Sequence, residues 1–95
     1  RQYDRALGQL QKTIEMDPNF FRTYFYRARI YEHLGQYEKA VADYRQGLLL
    51  VGENPARVAQ IAAEISQSLT AAGERGYWQK RLEIKERNPE IRVEW

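Results

Sequence analysis

Few side chains in this 95-residue sequence are placed to do covalent or metal chemistry. His33 is its single histidine, and Glu32 is its immediate neighbour, so on a helix the two side chains would turn to different faces. General acid–base catalysis needs a second positioned group, and a metal site needs several ligands at matching spacing. His33 has neither, and it reads as a helix-surface residue. Ser66, Ser68 and Thr70 lack the flanking glycines of a nucleophile elbow. No glycine-rich phosphate loop occurs, and "GERG" at Gly73 to Gly76 reads as a helix connector. The absence of cysteine excludes disulfides, thiol nucleophiles and thiolate metal sites. The expectation is no enzyme, no metal and no cofactor. What remains is the chemistry of recognition, concentrated in "FFRTYFYRARIYEHLGQYEKA" at residues 20–40, where seven aromatic rings are threaded with Arg22, Arg27 and Arg29.

Composition narrows the classes of partner. The 15 basic and 13 acidic residues leave a net charge of +2, and the acids are interspersed among the bases. A nucleic-acid binder would cluster its cations on one face, so nucleic acid is not an expected partner. The longest apolar run, Leu48 to Val51, is far short of the roughly 18–20 residues that cross a bilayer, and no membrane is expected. The chain opens on Arg1 without an apolar leader, so no secretory signal is visible and the true N-terminus is expected to lie upstream. Together with the lack of cysteine this makes the cytoplasm the default expectation.

A repeat organises the chain. "YDRALGQLQKTIEM" at Tyr3 to Met16 returns as "YEKAVADYRQGLLL" at Tyr37 to Leu50, with Tyr3 on Tyr37, Ala6 on Ala40, Leu10 on Tyr44 and Ile14 on Leu48, all at one offset of 34 residues. Both copies have helical spacing: Ala40, Val41, Tyr44, Leu48 and Val51 advance in steps that keep one apolar stripe. Phe21, Tyr24, Ala28, Tyr31 and Leu34 form a stripe between them, stopped at Gly35. Asp17-Pro18 ends the helix before it. Asn54-Pro55 reads as an N-cap with proline at the first helical position. Val58, Ile61, Ala62, Ile65, Leu69 and Ala72 then continue the pattern to Gly73. A fifth helix is expected from about Glu74 to Arg87, burying Tyr77, Trp78, Leu82 and Ile84. The tail "PEIRVEW" alternates Ile91, Val93 and Trp95, and reads equally as a strand-like segment or the first turn of a helix. Gly8 and Gly47 each cost about 1 kcal/mol against alanine within a helix, and close packing against a neighbouring helix is the expected reason. Arg27 is expected to reach Asp43 on the facing helix.

Pro18, Tyr24, Ala28, Tyr31, Gly35, Tyr37 and Ala40 together resemble the tetratricopeptide repeat family, whose 34-residue unit is a pair of antiparallel helices. The resemblance implies an all-α fold of antiparallel helix-turn-helix repeats stacked as a short right-handed solenoid of about five helices. It also implies one domain over residues 1–95: the second helix of a partial repeat (1–18), a complete repeat (19–52), a degenerate third repeat (53–89) and a tail (90–95). Trp78 departs from the family, standing near where alanine is preferred.

In this family ligands lie in a concave groove lined by the first helix of each pair. Carried over position by position, the groove residues are Arg22, Phe25, Arg29, Glu32 and His33, joined by Gln60, Ala63 and Gln67 of the third unit. Arg22, Phe25, Arg29 and Glu32 also lie at helical spacing opposite the stripe of Tyr24, Ala28 and Tyr31, and an exposed Phe25 between two arginines would suit an interaction hot spot. The lysine- and asparagine-rich clamp by which some members hold a peptide carboxylate is missing, although Arg22 and Arg29 would favour an acidic peptide. The expected function is a scaffold that binds a protein or peptide in the groove. The alternative is a self-association or regulatory module of a larger protein, with homo-oligomers formed through exposed terminal helices.

Overall fold

The computed structural model describes residues 2–91, in the order α1 (Gln2–Met16), α2 (Phe21–His33), α3 (Tyr37–Leu50) and α4 (Pro55–Arg87). Val93 and Trp95 of the expected alternating tail lie outside the described residues. Within them Ile91 stands at a bend and is buried. Every described element is helical, which makes the fold all-α, as expected.

The helix ends follow from local chemistry. α1 stops one residue before Asp17-Pro18, and the Tyr24 hydroxyl donates to the Pro18 carbonyl at 2.8 Å, fixing the next helix against the turn. At the end of α2, Gln36 N–H donates to the Tyr31 carbonyl at 2.8 Å and Gly35 N–H to that of Glu32 at 3.1 Å. That paired closure needs a left-handed residue, which Gly35 supplies with φ 72°. The same two bonds recur after α3, from Glu53 to Leu48 and from Gly52 to Leu49, both at 3.1 Å. α4 begins as its sequence indicates, with the Asn54 carboxamide oxygen accepting from the N–H groups of Ala56 and Arg57 at 2.9 and 3.2 Å.

Among the described residues four helices form instead of the expected five. The segment 74–87 is the C-terminal arm of α4, joined to the N-terminal arm through Gly73 alone, whose φ of 63° and ψ of −146° lie outside the helical region. No loop residues are spent, because one glycine can adopt a backbone conformation closed to other residues. The two arms run back along each other: Arg87 bonds Glu64 at 2.9 Å, and Arg57 bonds Asn88 near the base. At Gly76 a Cβ would fall 2.2 Å from the Ser68 carbonyl oxygen, so this glycine permits the close approach.

The core joins α2, α3 and both arms of α4 through Phe25, Ala28, Tyr44, Leu48, Val58, Ile65, Tyr77 and Ile84. α1 lies at the edge, and its apolar stripe of Ala6, Leu7, Leu10 and Ile14 is only half-buried. Two expected core residues are outside: Trp78 is 38% and Leu82 54% exposed. The inward face of the C-terminal arm keeps Tyr77 and Ile84, as expected, and adds Arg81 between them. Residues 78 and 82 follow one position later, about 100° further round a helix of 3.6 residues per turn.

Arg27 meets Asp43 as expected, in a forked pair of 2.8 and 2.7 Å, and also donates to Gln11 at 2.9 Å, so one guanidinium links α1, α2 and α3. Burial pushes the Asp43 carboxyl up from its ordinary range, against the opposing pull of Arg27.

Gly8 and Gly47, the glycines expected to need close packing, separate. A Cβ on Gly47 would lie 2.3 Å from the Phe25 ring, which is the close packing expected. A Cβ on Gly8 would meet nothing within 4 Å, so no neighbour in the described residues requires glycine there. Gly8→Ala should therefore stabilise the chain by about 1 kcal/mol through helix propensity. Gly47→Ala should destabilise it by about 1–3 kcal/mol through overpacking. Urea midpoints that moved in the same direction for both variants would refute this contrast.

Candidate functional site

The eight residues expected to share a groove fall into three places. Arg22, Arg29 and His33 are exposed on α2. They are joined by Tyr26, 45% exposed, which the sequence reading did not select. Steps of four, three and four residues put Arg22, Tyr26, Arg29 and His33 on one stripe of the helix. That spacing was the signal available for Tyr26. The His33 ring stacks on Tyr3 of α1, with centroids 5.7 Å apart and planes within 8°. Among the described residues no cluster of histidine and carboxylates has the geometry of a metal site.

Gln60, Ala63 and Gln67 are exposed on one face of the N-terminal arm of α4. Ala63 borders a shallow cleft of about 270 Å³ between α3 and α4, whose walls include Glu38, Arg45 and Ser66 around the small residues Ala42 and Ala59. The backbones of α2 and α4 do not touch, so this second strip is separate from the α2 stripe.

Phe25 and Glu32 are interior, which corrects the expectation that they line an open groove. Phe25 is 0% exposed. Its ring fills the space left by Gly47 and lies 5.9 Å from Phe21 and 6.2 Å from Tyr44, centroid to centroid. Apolar area and a neighbouring glycine draw the ring inward.

Glu32 is buried because other chain segments bring it partners. Tyr44 donates to one carboxylate oxygen at 3.0 Å, and Tyr77 donates to the other at 2.5 Å. Arg81 donates to Glu32 at 3.2 Å and to the Tyr44 oxygen at 3.0 Å, and its Nε stands 2.6 Å from the carboxylate as an ion pair. The Arg81 guanidinium also lies over the rings of Tyr44 and Trp78, at 5.5 and 5.1 Å. A buried carboxylate persists when it is paired and hydrogen-bonded, and these three side chains satisfy it. Sequence reading missed Tyr77 and Arg81 in this role. Their spacing of four marks a common helix face but does not say what that face meets.

The electrostatics of this cluster can be read in solution. Burial pushes the phenols of Tyr44 and Tyr77 far above the ordinary tyrosine range; the bond to Glu32 adds to this at Tyr77, whereas at Tyr44 the Arg81 charge opposes it. A pKa raised on folding stabilises the native state fully below the unfolded value, and that stability is lost as pH rises beyond it. The chain should therefore hold its stability up to about pH 10 and lose it above. Of its seven tyrosines, Tyr44 and Tyr77 should gain phenolate absorbance only as helicity collapses. Complete tyrosine ionisation ahead of any loss of circular dichroism would contradict this.

The geometry is that of helical hairpins with an exposed cationic and aromatic stripe on α2. Residues 10–42, from the second half of α1 into α3, match the model of the tetratricopeptide repeat family. Repeats of this family are protein–protein interaction modules. Two curated relatives from Oryza sativa subsp. japonica are similar to the chain. DnaJ protein P58IPK homolog B is 37% identical over 71 residues, and DnaJ protein P58IPK homolog A is 36% identical over 71. In each case the match covers 75% of this chain and 14% of the relative's length. No solved structure matches the chain significantly. Among the described residues no helix is long and apolar enough to cross a membrane.

Proposed function

We propose that the chain is a protein-interaction scaffold that receives an acidic peptide segment along the exposed face of α2. The observation that carries this reading is the stripe of Arg22, Tyr26, Arg29 and His33, where two guanidinium groups flank an exposed phenol ring. Arg22 and Arg29 are separated by two helical turns, about 10.5 Å along the axis. Carboxylates three residues apart in a polyproline II segment, which has three residues per turn, share one face about 9 Å apart and come close to that distance. Arginine and aromatic side chains are the types that most often dominate binding energy. Gln60, Ala63 and Gln67 form a second, uncharged strip beside the α3–α4 cleft. Phe25 and Glu32 support the scaffold from within. The units proposed for this scaffold are residues 1–18, 19–52 and 53–89.

The test is capture of peptides carrying acids three residues apart against neutral versions, using the intact chain and the double variant Arg22→Ala with Arg29→Ala. The variant should keep its helicity and weaken binding by roughly 30-fold, the equivalent of about 2 kcal/mol for a hot spot. Affinity that is the same for acidic and neutral peptides, or unaltered in the double variant, would remove the reading.

The half-buried apolar stripe of α1 favours a second reading, a self-association or regulatory module of a larger protein. A mass that stayed at one chain across a wide concentration range would count against self-association.

A further inference from the structure

The C-terminal arm of α4 is attached to the rest of the fold in an unusual way. Its one covalent link is Gly73, held at φ 63° and ψ −146°, with helix on both sides and no intervening loop. The arm's anchoring contacts lie on α2 and α3 as well as on the N-terminal arm of α4. Tyr77 bonds Glu32 of α2 at 2.5 Å and packs on Tyr37 of α3 with centroids 4.5 Å apart. Arg81 bonds Glu32 and Tyr44. Tyr77, Ile84 and Ile91 are 0, 1 and 7% exposed, so the arm fills a deep seat.

A helical conformation at Gly73 would turn α4 into one straight rod of 33 residues, about 50 Å long. After Pro55 no proline interrupts that rod. The arm would then leave its own seat and stand clear of α2 and α3. An identical seat exists on any second copy of the chain, and the arm's contacts with Glu32, Tyr37, Tyr44, Arg57 and Glu64 can all be remade there. Exchange of an identical element between copies changes one hinge and restores every other contact, which is why it is a low-cost route to a dimer. Opposing it are the close fit of Gly76 on Ser68 and the concentration needed to bring two chains together.

We infer that the chain can dimerise by exchanging residues 74–91, with Gly73 as the hinge and the Glu32–Arg81 pair as the key contact across the exchanged seat. The partner is a second copy of this chain.

Two sets of variants test it by light scattering on the full chain. Gly73→Ala places a side chain where the backbone is closed to it, and so favours the straight rod. It should shift the mass from one chain to two, and a folded Gly73→Ala variant that stayed at one chain would overturn the proposal. The second set mixes Glu32→Arg with Arg81→Glu. Each alone sets like charges together in its own seat. In an exchanged pair, one seat joins the introduced arginine to the introduced glutamate and the other recovers the original Glu32 with Arg81. Equimolar mixing should yield a 1:1 heterodimer, with helicity regained if either variant alone had lost it. A mixture that remained at one-chain mass, or failed to regain helicity, would overturn the exchange.

Discussion

Glu32→Ala should be among the most damaging single substitutions in the molecule, costing about 3–5 kcal/mol of folding stability. The change removes the acceptor on which Tyr44, Tyr77 and Arg81 converge, at 3.0, 2.5 and 3.2 Å. It leaves the Arg81 guanidinium, whose side chain is 13% exposed, facing a buried space that has lost its negative charge. Breaking such a pair from one side is costly because desolvation of the surviving ion is no longer offset. A chain of this length has a total stability of about 5–14 kcal/mol, so the loss would leave it marginal or unfolded at 37 °C. Glu32→Gln should cost less, since the amide keeps an acceptor for one tyrosine. The double variant Glu32→Leu with Arg81→Leu should recover part of the loss, because a removed pair is less harmful than a broken one. Urea unfolding followed by circular dichroism measures all three. A Glu32→Ala midpoint near that of the intact chain would show that the cluster contributes no stability.

The same cluster marks where sequence reasoning reached its limit. The 34-residue recurrence, the Asp17-Pro18 break, the glycine stop at Gly35 and the Asn54 cap are local features, and each governs geometry within a turn or two of itself. The structure places helix ends at all of them. The Arg27–Asp43 pair was also legible, because a two-helix hairpin joined by a short turn brings those positions face to face. Phe25 and Glu32 were not legible as interior residues. They are seven apart on the side of α2 opposite the obvious apolar stripe, and periodicity within one helix assigns that side to solvent. The cover for Glu32 comes from Tyr77 and Arg81, 45 and 49 residues further on. Which face of that arm turns inward depends on the backbone at Gly73, and a one-residue difference there exchanges Tyr77 and Arg81 for Trp78 and Leu82. Hydrophobicity marked Trp78 and Leu82 for the core beside Tyr77 and gave Arg81 no inward role. The fold uses Tyr77 with Arg81, because tyrosine and arginine can satisfy a buried carboxylate and tryptophan and leucine cannot.

Phe25→Ala should have an effect of similar size, with a different signature. The side chain is 0% exposed, and its ring occupies the volume beside Gly47, where the α2 and α3 backbones leave room for it. Truncation opens a cavity that those backbones cannot easily close, and phenylalanine-to-alanine changes in cores cost about 3–5 kcal/mol. For a chain of this size that lowers the melting temperature by about 12 °C or more. A core role and a recognition role then give separable results. As a core residue, Phe25 should leave peptide affinity intact at low temperature, where the variant is still folded, while its urea midpoint falls sharply. As an exposed anchor it would do the reverse, with capture lost and the midpoint unmoved. Gly47 provides an internal control. Placing Gly47→Ala in the Phe25→Ala background should recover stability, because the added methyl enters the vacated space. The coupling between two side chains in contact is expected at about 0.5–3 kcal/mol. Strict additivity of the two changes would mean that the ring does not lie against Gly47 in solution, and the packing of α2 on α3 would have to be drawn differently.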